Sequence, residues 1–93
     1  MANNVYTKDP DAVLDWKFDW SRWLATNEKI TSHAVTSTTG LTVDSSLATD
    51  NDTSVTAWLS GGTAGTRYTV TCHIVTNAGR ADDRTIYVYV RER

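Results

Sequence analysis

Apolar and polar residues alternate with a period of two along most of this chain, which marks out β-strands rather than helices. The first clear run covers residues 12–20: Leu14, Trp16, Phe18 and Trp20 fall on one face, and Val13, Asp15, Lys17 and Asp19 on the other. Pro10 precedes it, where a missing N–H costs a sheet nothing. From Ser21 to Glu28 the alternation is lost, which predicts a corner or one short turn of helix, with Trp23 and Leu24 tucked under the sheet edge. A second strand is expected over Lys29 to Thr38; its adjacent apolar residues Ala34 and Val35 imply a bulge or a strand buried on both sides. A third, short strand begins at 41–43. The fourth covers 54–60, with Val55, Ala57 and Leu59 set against Thr56 and Trp58.

The C-terminal third is the most regular. After a glycine-rich corner at 61–66, expected to be flexible, Tyr68, Val70, Cys72 and Ile74 share one face while Arg67, Thr69, Thr71 and His73 share the other. A turn is expected at 77–83, where Asn77 and Gly79 tolerate positive φ. The last strand sets Ile86, Val88 and Val90 against Tyr87 and Tyr89. Six or seven strands with turns about every ten residues predict an all-β, two-sheet sandwich. Gly65, Thr66 and Tyr68 sharpen this to an immunoglobulin-like fold, because they read as a tyrosine corner. In antibody domains that tyrosine stands two residues before a cysteine, whereas Cys72 follows Tyr68 by four. The pattern therefore looks more like the disulfide-free fibronectin type III variant, with Cys72 a small buried hydrophobe.

Composition agrees: the chain carries 16 Thr and 9 Val against 2 Glu, 3 Lys and 1 Met, and β-branched side chains suit a pleated surface. Ninety-three residues leave room for one small sandwich domain, expected over 12–93, preceded by an N-terminal arm over 1–11 whose apolar anchors are Val5 and Tyr6. A domain of this size buries roughly 60–65% of the surface its unfolded chain exposes, so its margin of stability is thin. A net charge of −2 argues against a nucleic-acid partner bound through phosphates. No apolar run is long enough to cross a membrane as a helix, so no membrane partner is expected. One cysteine excludes an intrachain disulfide framework and a multi-cysteine zinc site. The N-terminus has no basic-then-apolar signal pattern, so folding in a cytoplasm is expected.

The residues that carry chemistry are not arranged for it. No Ser sits in a G-x-S-x-G elbow, His73 points away from Cys72 on its strand, and His33 lies on the ambiguous second strand. Asp50, Asn51 and Asp52 resemble a fragment of a calcium loop without its remaining ligands or closing glutamate, so a solvated turn is the expectation. No catalytic residue, cofactor or metal is assigned, and the chain is not expected to be an enzyme. Aromatics are the better lead: Trp58, Tyr87 and Tyr89 fall opposite the core residues of their strands, where exposed rings offer contact area at low entropy cost. Together with Val5 and Tyr6 of the arm they form the candidate partner-binding set. A second, shielded face of the sandwich would explain them equally well.

Two segments, KDPDAVLDWKFDWSRWL at 8–24 and AWLSGGTAGTRYTVTCHIVTNAGRADDRTIYVYVRER at 57–93, resemble the small bacteriophage virion proteins known as fibre–tail adaptors. The similarity is tight over about half of the chain and loose in the middle; Trp16 stands where a tyrosine is common, and 44–54 is unusually polar. The resemblance implies an immunoglobulin-like structural subunit, made in the host cytoplasm and placed in the virion in multiple symmetric copies. Its partners would be other phage structural proteins of tail, fibre or capsid. As an adaptor it would bridge tail and fibre through sheet edges and the N-terminal arm. A capsid decoration protein would show the same fold and size, and a carbohydrate-binding module would likewise present exposed Trp and Tyr.

Overall fold

The computed structural model describes residues 5–92, so the first four residues of the expected arm lie outside the described residues. Seven strands run in chain order: β1 (Val5–Lys8), β2 (Leu14–Asp19), β3 (Ile30–Ser37), β4 (Leu41–Thr49), β5 (Ser54–Gly61), β6 (Thr66–Thr76) and β7 (Ala81–Val90). They form a four-stranded sheet in the order β1-β7-β6-β3 and a three-stranded sheet in the order β2-β5-β4. Pairing is antiparallel except between β1 and β7, which run parallel. The placement of β2, β5 and β4 against β3, β6 and β7 is the immunoglobulin arrangement, with β4 beside β5 as in the constant-type pattern. The first strand has left the three-stranded sheet for the edge of the last strand.

The core lies between the sheets and consists of the alternating positions read from the sequence: Val55, Ala57 and Leu59 from β5, Tyr68, Val70, Cys72 and Ile74 from β6, and Ile86, Val88 and Val90 from β7. Burying each of the larger aliphatic side chains contributes roughly 1.5–3 kcal/mol. Burial also pushes the Cys72 thiol up to about 12, so it stays protonated as a core residue. On β2 the burial is graded: Phe18 is buried and Trp20 beyond it fully so, Trp16 is half-buried, and Leu14 is 43% exposed. Leu14 is thus not a core residue. β2 is an edge strand, and its first half overhangs the sandwich beside β1.

Three strand boundaries differ from expectation, each for a local reason. β4 runs to Thr49, well beyond 43, because a register shift between Val43 and Ser45 reverses the alternation and turns Leu47 outward. The irregularity on β3 falls between Ile30 and Ser32, not at Ala34 and Val35; Val35 points inward opposite Cys72 and Ala34 outward. The β6–β7 turn ends before Ala81, because Ala81, Asp82 and Asp83 already pair with Val75, Ile74 and His73 of β6; the Asp82 carboxylate also accepts the Trp20 indole N–H at 2.9 Å.

The corner at 61–66 is largely exposed, and hydrogen bonds at Thr63 and Gly65 tie it to the strands. The Tyr68 hydroxyl accepts the Thr63 N–H at 2.9 Å, completing the tyrosine corner. Gly65 donates to the Val90 carbonyl at 2.7 Å. Gly62 has φ +98°, and a Cβ there would meet Val90 Cγ2 at 2.6 Å, so only glycine fits.

Candidate interaction surfaces

The five candidate contact residues do not gather into one patch. Trp58, 44% exposed, stands on the outer face of the three-stranded sheet, between Asp15 on β2 and Ser45 on β4. Leu47, 66% exposed, lies diagonal to it, opposite Thr56, so the two make a short apolar ridge across β4 and β5. Tyr87 and Tyr89, 39% and 36% exposed, stand on the outer face of the other sheet, where Thr69 and Arg67 face them on β6. The Arg67 guanidinium lies 5.5 Å from the Tyr87 ring. Val5 occupies the strand position opposite Tyr87. The molecule therefore carries two aromatic surfaces that point in opposite directions.

Tyr6 belongs to neither. It faces inward from β1 and packs on Trp16, with ring centroids 4.0 Å apart, at the mouth of a small apolar cleft between β1 and β2. The arm is thus, from Val5 to Lys8, a strand of this chain's own sandwich. Its anchor is a residue that periodicity did not single out. Lys8 is buried, and its ammonium donates to the Gly61 carbonyl at 2.7 Å and the Asp9 carbonyl at 2.9 Å. Burial lowers its pKa, because these backbone acceptors only partly replace water. The signal available in the sequence was an apolar-polar strand spacing from Tyr6 to Lys8, obscured because the inward position is taken by a lysine.

The opposite end of the sandwich is closed by a second buried ion. Glu28 accepts from Arg80 Nε at 3.0 Å and Nη2 at 2.6 Å, from the Thr76 hydroxyl at 2.5 Å and from the Ala25 N–H at 2.9 Å. The Arg80 bond, then those from Thr76 and Ala25, hold the Glu28 carboxyl down at about 2. Arg80 also lies 3.9 Å from the Trp23 ring and donates to the Trp23 carbonyl, which tucks Trp23 under the edge. The 23–28 loop and the β6–β7 hairpin thereby satisfy one another's polar groups at once.

The remaining candidate groups are engaged structurally. Asp50, Asn51 and Asp52 all have positive φ, making a left-handed turn, and the Asp50 carboxylate accepts from Lys17 and Ser54, each at 2.8 Å. His73 is exposed and bonded to Asp83; His33 faces inward, half-buried, opposite Ile74. Among the described residues no three His, Cys, Asp or Glu converge as metal ligands.

Two of the edge strands, β3 and β4, are blunted, whereas the β2 edge carries no register shift. β4 carries the register shift beside Asp44 and β3 the one beside Ile30, while the half of β7 that β1 leaves uncovered carries Asp82, Asp83 and Arg84. Bulges and charges of this kind disfavour addition of a further strand. The two faces offer the broadest surfaces for contact.

Residues 8–89 match the family described as podophage GP4 fiber-tail adaptor protein gp77. No curated protein matches the chain.

Proposed function

The chain belongs to the podophage GP4 fiber-tail adaptor family, and we propose that it is a non-enzymatic virion subunit that bridges tail and fibre through protein–protein contacts. One observation carries the reading beyond the family description: aromatic surfaces on opposite faces, Trp58 on one and Tyr87 with Tyr89 on the other, let one thin domain hold a neighbour on each side. Aromatic side chains supply large contact area with few rotatable bonds and dominate many interfaces. In this reading the faces make the contacts, while the bulges on β3 and β4 disfavour strand addition at those two edges. Association in turn stabilises a small domain whose own core is limited.

A reconstruction of the whole particle tests the assignment. Density for this sandwich at the junction of tail and fibre is the expected result. Density spread over the capsid lattice, with none at the tail, would instead identify a decoration protein.

A further inference from the structure

The two outer faces differ in charge as well as in direction. On the three-stranded sheet, Asp15, Asp19 and Asp44 face outward against Lys17, and Lys17 is already bound to Asp50 of the turn that follows β4. On the four-stranded sheet Arg67 faces outward with Asp83, which is bound to His73, and the exposed Arg91 follows directly after β7. One face is strongly acidic and the other mildly basic, although the chain as a whole carries only −2.

The match extends to individual positions. The Trp58–Leu47 ridge has a carboxylate, Asp15, directly beside Trp58 on the neighbouring strand. The Tyr87–Tyr89 pair has a guanidinium, Arg67, directly opposite Tyr89. The Trp58–Leu47 ridge also has Lys17 in the row of Leu47, but its ammonium is held by Asp50. Among the described residues this leaves Asp15 as the unpaired charge beside that ridge and Arg67 as the charge beside the other. Neither face suits itself, because two acidic faces would set carboxylate against carboxylate.

We propose that the neighbour held by each face is another copy of this chain, with the Trp58–Leu47 ridge of one copy seated on Tyr87 and Tyr89 of the next and Asp15 meeting Arg67. The inference rests on the reading that these faces hold neighbours, and it names the neighbour. Such a contact is heterologous: every copy added leaves one face of each kind free, so the arrangement closes into a ring or continues as a file. The ends of the sandwich then remain available to other virion proteins.

Sedimentation of the full chain over a range of concentrations tests this. The expected result is self-association that weakens as salt rises from about 50 to about 500 mM, as screening of the facing charges requires. Asp15→Arg and Arg67→Asp, both exposed and remote from the core, each weaken association several-fold, and the chain carrying both substitutions regains it. Trp58→Ser abolishes association at every salt concentration. A chain that stays monomeric up to about 1 mM, or a double variant no better than either single one, overturns the proposal. A monomeric chain found at the tail–fibre junction would overturn the self-contact and leave the adaptor assignment standing. Association by this contact in a protein found on the capsid lattice would do the reverse.

Discussion

Each end of this sandwich buries an ion, and the two are accommodated differently. At the end where β1 stops, Lys8 is surrounded by backbone carbonyls, with no carboxylate bonded to it among the described residues, so its charged form is tolerated and its pKa falls. At the other end Glu28 has a bidentate arginine, a hydroxyl and a backbone N–H, so its charged form is favoured and its pKa falls to about 2. The same downward direction carries opposite meanings. For an acid it reports stabilisation of the ion, for a base the cost of burying it. The Glu28 end is a staple that strengthens the fold, and the Lys8 end is a latch that positions β1 at some expense.

The strongest test of this contrast comes from the packing around the staple. Trp20 is fully buried, bonds to Asp82 and lies 4.8 Å from the Arg84 guanidinium. Trp20→Ala is expected to cost roughly 3–5 kcal/mol in a denaturant melt. Trp16→Ala should cost clearly less, because Trp16 is half-buried beside the β1–β2 cleft. Equal losses at the two tryptophans would show that the ends are equally packed.

Acid probes the staple directly. The Glu28 carboxyl is lowered from 4.5 to about 2 on folding, so the unfolded chain binds the proton more readily across that window. Its contribution is therefore complete above pH 4.5 and lost as pH falls toward about 2. The stability advantage of wild type over Glu28→Gln should shrink over this interval, and a difference independent of pH would remove the ion pair as its cause.

Tyr68→Phe deletes the acceptor of the Thr63 N–H at the Lys8 end and should cost roughly 1 kcal/mol without altering the fold. Lys8→Met gives the smallest effect and the most specific one. Because burial lowers the Lys8 pKa, the unfolded chain holds that proton more tightly, and stability rises with pH between the folded and unfolded values. Wild type should gain on Lys8→Met as alkalinity increases, the opposite end of the pH scale from the Glu28 effect.

How much of this was legible beforehand follows from whether a feature is local. β6 and β7 were readable because their alternation is unbroken and they pair as a hairpin, and the tyrosine corner because Tyr68 reaches back only five residues to Thr63. β4 was half-readable: its register shift puts Val43 and Leu47 on opposite faces, which imitates a loss of pattern. Leu14 misled because alternation assigns a face without saying how much of that face is covered. The Glu28–Arg80 and Lys8–Gly61 contacts span 52 and 53 residues, and no periodicity reports a contact of that kind. Trp58, Tyr87 and Tyr89 were correctly read as off the core, but not as lying on opposite faces.

Residue order alone thus determined the strand class, the inward residues of β5, β6 and β7, the immunoglobulin-like corner and the kinship with phage adaptors. These depend on steric preference and near-neighbour spacing, which are properties of short stretches of chain. Tertiary structure decided which sheet each strand joined, and with it the sign and direction of each exposed face. It also decided where β1 is latched and which charges are buried with partners. Those outcomes turn on pairings between residues some fifty positions apart, whose energies exist only once the two sheets have closed on each other.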